Sequence, residues 1–329
     1  MDNKEQYKII CDNKDSIPIY SQYWWLDAVC GSENWDVLLS NKGGKIDASM
    51  PIYFADKNKK YVQQPLLTQT NGIWINYPNN QKITSKLSFE KKVTTDIIEQ
   101  LEKLKLNNYI QHFHYNFKNW LPFYWKGFNQ TTRYTYVIDD TSNFEEMYKN
   151  IDSSTKNIIR KAEKSVKVKK GLDINKFYEI NKMTFDRKGV KIPYSLELLK
   201  CLDKACNERN CREILYAVDE NENIHAVIYL VWDKMSIYYI MGGVNPEYRK
   251  TNATSLLLLE GLKLANEKKL KFDFEGSMNI DIEKFFSSFG GVQKPFFTIY
   301  KRYSFDLKST VYSVVNNWNN LKRTLKRNK

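Results

Sequence analysis

The sequence predicts an α/β fold in which two similar halves build a mixed β-sheet, and three observations support this prediction. Short alternating segments typical of half-buried strands are interspersed with segments whose apolar residues recur at helical spacing. The segment WKGFNQTTRYTYVI, which ends the first half, resembles FSSFGGVQKPFFTIY near the end of the second. The length of 329 residues also exceeds that of one ordinary hydrophobic core. A tandem duplication of one α/β unit accounts for all three.

The first half is predicted to begin with a helix over residues 21–30, in which Trp24 and Trp25 contribute to a buried side. A second helix is predicted where apolar residues recur at helical spacing. The predicted strands cover residues 35–39, 46–54, 61–64, 109–115 and 131–138, and the second helix covers 89–105. The polar segment DDTSN then breaks the pattern, so we place the first domain at residues 1–139.

The second half repeats the order of the first, and we assign it residues 140–305. It opens with a basic segment that we predict to be helical, and its glycine-bounded final unit reads strand, short amphipathic helix, strand. Helices are predicted at 153–170, 174–187, 195–207 and 252–268, and strands at 213–218, 223–232, 236–244, 271–275 and 295–300. Residues 306–329 are predicted to form a separate basic amphipathic helix, because their apolar residues fall on a single stripe.

The charge is concentrated in two places. Residues 155–170 hold seven Lys or Arg and one Glu, and residues 301–329 hold eight Lys or Arg and one Asp. These two excesses account for the whole net charge of +13, so the rest of the chain is neutral. Two local basic surfaces favour anionic partners at those places, with solvated helix faces as the alternative.

Composition excludes several classes of protein. An apolar content of 42% with 14% aromatic residues is typical of packed globular domains rather than of disorder. Five scattered cysteines form no paired framework and have no zinc-ligand spacing, so we expect no metal and a reducing cytoplasm. We find no signal peptide and no apolar run of about 18 residues, which predicts a soluble or peripheral protein.

Two segments resemble a known family. Residues 271–300, KFDFEGSMNIDIEKFFSSFGGVQKPFFTIY, and residues 153–170, SSTKNIIRKAEKSVKVKK, resemble the GNAT acyltransferase domain. The resemblance is to the variant shared by the Fem peptidoglycan aminoacyltransferases and their acyl-CoA-using relatives. Fem-like proteins contain two such domains, so the resemblance covers about residues 20–303 and implies tandem GNAT-like (acyl-CoA N-acyltransferase) domains.

The resemblance also implies a donor site. GNAT domains bind the pyrophosphate of coenzyme A on the N–H groups of a helix N-terminus, after a pattern Arg/Gln-x-x-Gly-x-Gly/Ala. Arg249 matches this pattern, whereas Asn252 and Thr254 stand where glycines are usual. The predicted donor residues are Arg249, Lys250, Thr251, Asn252, Ala253 and Thr254, and the implied donor is acetyl-CoA or another acyl-CoA. The alternative is that these side chains only cap the helix.

The candidate catalytic residues are Asp273 and Glu275, with Tyr239 as an assisting group. Period-two spacing predicts that both carboxylates share one face of a strand, opposite two phenylalanines. Two neighbouring carboxylates separate their pKa values, which leaves one as a general base. At the position aligned with the reactive lysine of the Fem enzymes stands Phe286. The alternative for the pair is a polar strand end that caps the following turn.

These residues predict an N-acyltransferase that moves an acyl group from an activated donor to an amine of a bacterial cell-envelope or polysaccharide precursor. The partner is then a small-molecule or glycan-precursor acceptor. One alternative is a Fem-type transferase for peptidoglycan that uses aminoacyl-tRNA, for which the basic charge is useful. Another is a non-catalytic binding protein with the same fold. We also expect that residues 306–329 give peripheral contact with an anionic membrane from the cytoplasm.

Overall fold

The computed structural model describes residues 1–42 and 44–303. Within these ranges the chain forms one twelve-stranded mixed sheet with helices on both faces, which confirms the predicted α/β fold class. The predicted amphipathic helix at 306–329 lies outside the described residues.

The elements of the first half follow the predicted order, with three additions: an N-terminal helix, a two-residue strand at 74–75 and a short helix at 121–125. Its helices are α1 (Asn3–Asn13), α2 (Tyr23–Cys30), α3 (Ile83–Lys103) and α4 (Leu121–Trp125). Its strands are β1 (Trp35–Lys42), β2 (Lys45–Phe54), β3 (Tyr61–Gln63), β4 (Trp74–Ile75), β5 (Asn108–His112) and β6 (Asn129–Ile138). Helix α1 was not predicted; it begins at a capping box formed by Asp2 and Glu5.

The second half contains the remaining six helices and six strands of the described residues. The helices are α5 (Phe144–Lys149), α6 (Ser153–Glu163), α7 (Ile174–Arg187), α8 (Leu196–Asn207), α9 (Ala253–Lys268) and α10 (Ile280–Ser287). The strands are β7 (Lys167–Lys170), β8 (Arg212–Val218), β9 (Ile224–Trp232), β10 (Ser236–Val244), β11 (Lys271–Asp273) and β12 (Val292–Arg302).

The prediction of one basic helix over residues 153–170 is wrong in its last third. Helix α6 ends at Glu163, and Lys167–Lys170 form an edge strand that pairs antiparallel with β8. Val166 and Val168 alternate with lysines there. This period of two suits a strand that pairs with β8, whereas a longer helix would form hydrogen bonds only within itself.

The two halves exchange their last strands. The sheet order is β1-β2-β3-β5-β12-β6-β11-β10-β9-β8-β7, and β4 pairs with β2. Strand β12 therefore lies between β5 and β6, while β6 lies between β12 and β11. A division at residue 139 cuts the chain just after β6, a strand that serves both halves of the sheet.

Each face of the second half has its own core. Helices α6, α9 and α10 cover one face, where Phe272 and Phe274 pack against the leucines of α9. The opposite face is covered by α7 and α8 together with α2 from the first half, through residues such as Trp25, Phe177 and Tyr229. Burying each such side chain contributes about 1.5–3 kcal/mol. The first half thus stabilises the face of the second half that lies opposite α9.

Candidate active site

The sheet opens between two neighbouring parallel strands. Strands β10 and β11 pair only from Ser236–Lys271 to Tyr238–Asp273, after which β10 continues with β9 alone. A bulge shifts the register of β10 against β9 between Tyr239 and Met241. The backbone of β10 beyond Tyr238 therefore faces a gap, and the carboxyl ends of parallel strands are a common place for ligand sites.

The two candidate acids lie at this gap and are both buried. Asp273 is 4% exposed and Glu275 is 9% exposed. The hydroxyl of Thr135 and the backbone N–H of Glu275 donate to Asp273, the second over 2.8 Å. The hydroxyl of Tyr20 donates to Glu275 over 2.6 Å. Both carboxylates thus lie on the face opposite Phe272 and Phe274, as the sequence predicts.

The acids are joined by a turn rather than by a continued strand. Strand β11 ends at Asp273, and Glu275 has the left-handed φ of +63°. Gly276 follows with φ +54°, packed so closely on the carbonyl of Tyr134 that a Cβ could not fit. A left-handed non-glycine residue is strained, and such strain concentrates at functional sites.

Burial raises the pKa values of both carboxyl groups above their ordinary range. Desolvation raises the pKa of Asp273 to about 6, although hydrogen bonds from Thr135 and from the N–H of Glu275 counteract part of the shift. Desolvation, with the charge of Asp273, raises the pKa of Glu275 well above its usual value. With a pKa of about 6, Asp273 is mostly ionised at neutral pH, whereas the raised pKa of Glu275 favours its protonated form, so Asp273 is the better proton acceptor of the two.

Tyr239 lies apart from the acid pair. Its ring packs edge-on against Phe286 at 5.9 Å, on the side of α10, and its hydroxyl lies against Gly242. The tyrosines that accompany the acids are Tyr20, bonded to Glu275, and Tyr238, the neighbour of Asp273 across β10 and β11. Sequence reasoning missed Tyr20 because it is 255 positions from its partner.

The predicted donor residues form a compact turn at the end of β10. A 3₁₀ turn, Pro246–Thr251, leads into α9, and Asn252 takes the left-handed φ of +53° at the N-cap. Asparagine tolerates this conformation better than most residues, which explains why it replaces the usual glycine. No side chain caps α9; the amide of Asn252 instead donates to the carbonyl of Lys250. The side-chain capping bond that the alternative assumes is therefore not formed.

The turn that carries the predicted donor residues, here called the donor turn, presents positive charge and packs against His225. Arg249 and Lys250 are exposed. Buried His225 stacks on Tyr248 at 4.2 Å and places Nδ1 3.2 Å from the hydroxyl of Thr251. The N-terminal N–H groups of α9 and two cations are thus presented together, an arrangement that suits an anion.

A cleft runs along the acid-bearing face of the sheet between the two halves. It consists of two adjacent cavities of about 360 and 370 Å³ that share His114, Asn116 and Met235. Tyr238, the neighbour of Asp273, lines the first cavity. We call these two cavities the inter-half cleft; it approaches the acids from the side opposite α9.

Among residues 1–42 and 44–303 no group of three or more His, Cys, Asp or Glu side chains is arranged to hold a metal ion. Within the same residues, no helix combines the length and the apolar character needed to cross a bilayer.

Comparison with known proteins finds a domain match and a likeness of fold. Residues 150–279 match the model of the acetyltransferase (GNAT) domain, a range that contains the donor turn and both acids. The solved structure of FemX superimposes with a TM-score of 0.67 over 96% of this chain and 98% of its own, at 12% identity. Residues 150–279 thus form a GNAT-type domain, and the whole chain has the fold of FemX.

Other solved structures resemble this chain in fold along most of its length. L-PGS from Bacillus licheniformis has a TM-score of 0.55 at 10% identity, over 95% of this chain and 96% of its own. A tandem GNAT protein from the clavulanic acid biosynthesis pathway has a TM-score of 0.53 at 9% identity, over 91% and 95%. Comparison with curated protein sequences finds no match. The expected tandem GNAT-like architecture is confirmed.

Proposed function

We propose that the acyltransferase moves an acyl group from an acyl-CoA, such as acetyl-CoA, to an amine of a cell-envelope or polysaccharide precursor. The observation that supports this donor most directly is the uncapped N-terminus of α9 beside the exposed Arg249 and Lys250. Free N–H groups, the helix dipole and two cations all favour a pyrophosphate. Beyond Tyr238 the backbone of β10 has no partner on β11, and the thioester arm is proposed to lie along this edge.

The acid pair, Asp273 and Glu275, then takes part in the reaction from the face of the sheet opposite α9. The acceptor amine attacks the thioester carbonyl. A C–N bond forms, the C–S bond breaks, and coenzyme A leaves as its thiolate. The amine must lose a proton, and Asp273, with its pKa raised by burial to about 6, is ionised and able to accept it. Thr135 and the N–H of Glu275 hold that carboxylate in one orientation.

Calorimetric titration of acetyl-CoA tests the donor site. Arg249→Ala is expected to weaken binding by roughly 1–3 kcal/mol, the scale of a charge-assisted hydrogen bond to phosphate. Arg160→Ala is the matched control, because Arg160 is equally exposed but lies on α6. Equal affinities in the wild type and Arg249→Ala would reject this donor site.

A Fem-type aminoacyl-tRNA donor is the second candidate, favoured by the basic surface of α6. Arg160, Lys161 and Lys164 are exposed there, and such a surface suits a nucleic-acid backbone. The likeness to FemX in fold is compatible with this candidate. The same two variants separate the donors: Arg160→Ala should weaken only aminoacyl-tRNA binding, and addition of salt should weaken it further.

A further inference from the structure

The inter-half cleft contains two buried N–H groups without a partner in the described structure. They belong to Asn71, 4% exposed, and His114, 8% exposed, and both residues line the second cavity. Buried polar groups are nearly always hydrogen-bonded, because an unmade bond in the interior is unfavourable. Two such groups in one cavity indicate a ligand that accepts hydrogen bonds.

The orientation of the Asn71 amide is fixed by its neighbours. The side-chain amide of Gln111 donates to the carbonyl of Pro51 over 2.6 Å, and carbonyls only accept, so this atom of Gln111 must be nitrogen. Its second hydrogen goes to Asn71 Oδ1 over 2.9 Å. The Nδ2 group of Asn71 is therefore turned away from Gln111 with both hydrogens unused.

The tautomer of His114 is fixed in a similar way. Its Nδ1 accepts the backbone N–H of Asn116 over 3.2 Å, so the ring hydrogen of the neutral imidazole is on Nε2, the atom without a partner. Burial, together with the charges of Lys271, Lys118 and Lys294, lowers the pKa of His114 to about 3. The ring is thus a neutral donor in a region of positive potential.

The lysines near His114 outnumber the acids, which include Asp233 and Asp273 beside Tyr115, the ring that packs on His114. Asp139 is the nearest acid to these lysines, and it pairs with both Lys271 and Lys294. Asp140 also lines the first cavity, and the N–H of Ser142 donates to it. Two more cations, Lys234 and Lys269, line the same cavity. An anionic ligand would therefore meet both N–H donors and a favourable field.

We propose that the inter-half cleft binds an oxyanion of the acceptor, a carboxylate or a phosphate, through Nδ2 of Asn71 and Nε2 of His114. The role of this site in acceptor binding rests on the proposed function, because the cleft approaches Asp273 along Tyr238. The acceptor is then an amine that carries an acidic group, rather than a neutral amino sugar.

Three amino sugars test this proposal by calorimetry on the full chain: muramic acid, which has a carboxylate, glucosamine 6-phosphate, and glucosamine, which has neither. Either or both of the acidic sugars should bind at least about tenfold more tightly than glucosamine, the scale of one charged hydrogen bond. Which of the two binds identifies the oxyanion. Equal binding of all three, or binding of none, overturns the proposal.

The isosteric variant Asn71→Asp keeps the bond with Gln111 but replaces the donor by an oxygen, so it should lose at least about tenfold of the affinity for the acidic sugar. Asn116→Asp is the matched control, because it adds the same charge at an exposed position of the same cleft. His114→Gln, which retains an N–H, should bind the acidic sugar more tightly than His114→Leu. Equal losses in Asn71→Asp and Asn116→Asp would reduce the effect to general electrostatics and reject the site.

The proposal and the proposed function fail separately. If acetyl-CoA binds and no acidic sugar does, the donor assignment stands and the oxyanion site is wrong. If an acidic sugar binds through Asn71 while neither acetyl-CoA nor aminoacyl-tRNA binds, the oxyanion site stands and the proposed transfer is wrong.

Discussion

The two halves of the protein connect equivalent strands to equivalent helices in different ways. In the first half β3 and β5 pair in parallel across α3, and in the second β10 and β11 pair in parallel across α9. The connection before the helix covers residues 64–82 in the first half but only 245–252 in the second. The scaffold is the same, and the difference lies in the loop.

This difference corresponds to a division of tasks. The long connection brings Asn71, Gly72 and Trp74 into the inter-half cleft, where an acceptor is proposed to bind. The short connection keeps Arg249 and Lys250 close to the N-terminus of α9, where the donor is proposed to bind. A duplicated unit can therefore acquire two functions through its loops, because the strands that position them remain unchanged.

The strand exchange brings residues of both halves together at the proposed base. Strand β6 of the first half lies beside β11 and contributes Thr135, which donates to Asp273 of the second half. Tyr20, also from the first half, bonds to Glu275. The proposed base is therefore positioned by residues of both halves, and neither half alone would contain it.

The largest effect is expected from Asp273→Asn. Removing the base should lower kcat by about 10²-fold or more, whereas Glu275→Gln should have a smaller effect because glutamine resembles the protonated acid. Initial rates with acetyl-CoA and an amine acceptor measure both variants. A larger loss in Glu275→Gln would reverse the two roles.

The stability of Asp273→Asn should change in the opposite direction. Because burial raises the folded pKa of Asp273 from 3.8 to about 6, its ionisation destabilises the wild type as pH rises between about 4 and 6. Above that window the asparagine variant should be more stable by up to roughly 3 kcal/mol. Urea unfolding at pH 4 and pH 7 measures this, and a variant destabilised at pH 7 would contradict the raised pKa.

Gly276→Ala should disrupt the contact between the halves. Its φ of +54° is unfavourable for alanine, and a Cβ would collide with the carbonyl of Tyr134 on β6. We expect the free energy of unfolding to fall by more than about 3 kcal/mol. Gly171→Ala is the control: φ is +78° and a Cβ would have no neighbour within 4 Å, so only roughly 1 kcal/mol should be lost. Equal losses would mean that Gly276 is needed only for its dihedral angles.

Local spacing predicted much of the fold. The predicted helix at 174–187 and the predicted strand at 236–244 agree with α7 and β10. Helix α7 buries Phe177 and Ile180 at helical spacing, and β10 is an apolar run buried on both faces. The donor turn could also be located, since a strand, a basic turn and a helix follow one another in the sequence. These features depend on neighbours in the chain.

Features that depend on distant partners could not be predicted. The left-handed backbone of Glu275 has no local signal, because it is imposed by packing against β6 and Tyr20. The assignment of Tyr239 to the acids assumed that one strand face determines its partner, whereas Phe286 from α10 holds it on the other side. The strand exchange itself follows from pairing between residues more than 100 positions apart.

Hydrogen exchange tests whether donor binding distinguishes helix α9 from helix α3. Helix α3 also begins without a side-chain cap, after Lys82, so an uncapped N-terminus alone is not a donor site. With acetyl-CoA at ten times its dissociation constant, amides of residues 253–254 should exchange about tenfold more slowly. Those of residues 83–84 should not change. Protection at both helices, or at α3 alone, would show that the donor does not distinguish the halves as proposed.

The smallest effect is expected from Thr135→Val, which removes one hydroxyl and nearly preserves shape. The hydrogen bond from Thr135 favours the ionised form of Asp273, so its loss should raise the pKa of that carboxyl further. The acidic limb of the pH–rate profile should then move upward by less than about one pH unit. Thr131→Val, an exposed threonine on the same strand β6, should leave the profile unchanged. An identical acidic limb in Thr135→Val would mean that Asp273 does not titrate in the reaction, because its nearest donor from the first half would have no influence on the rate.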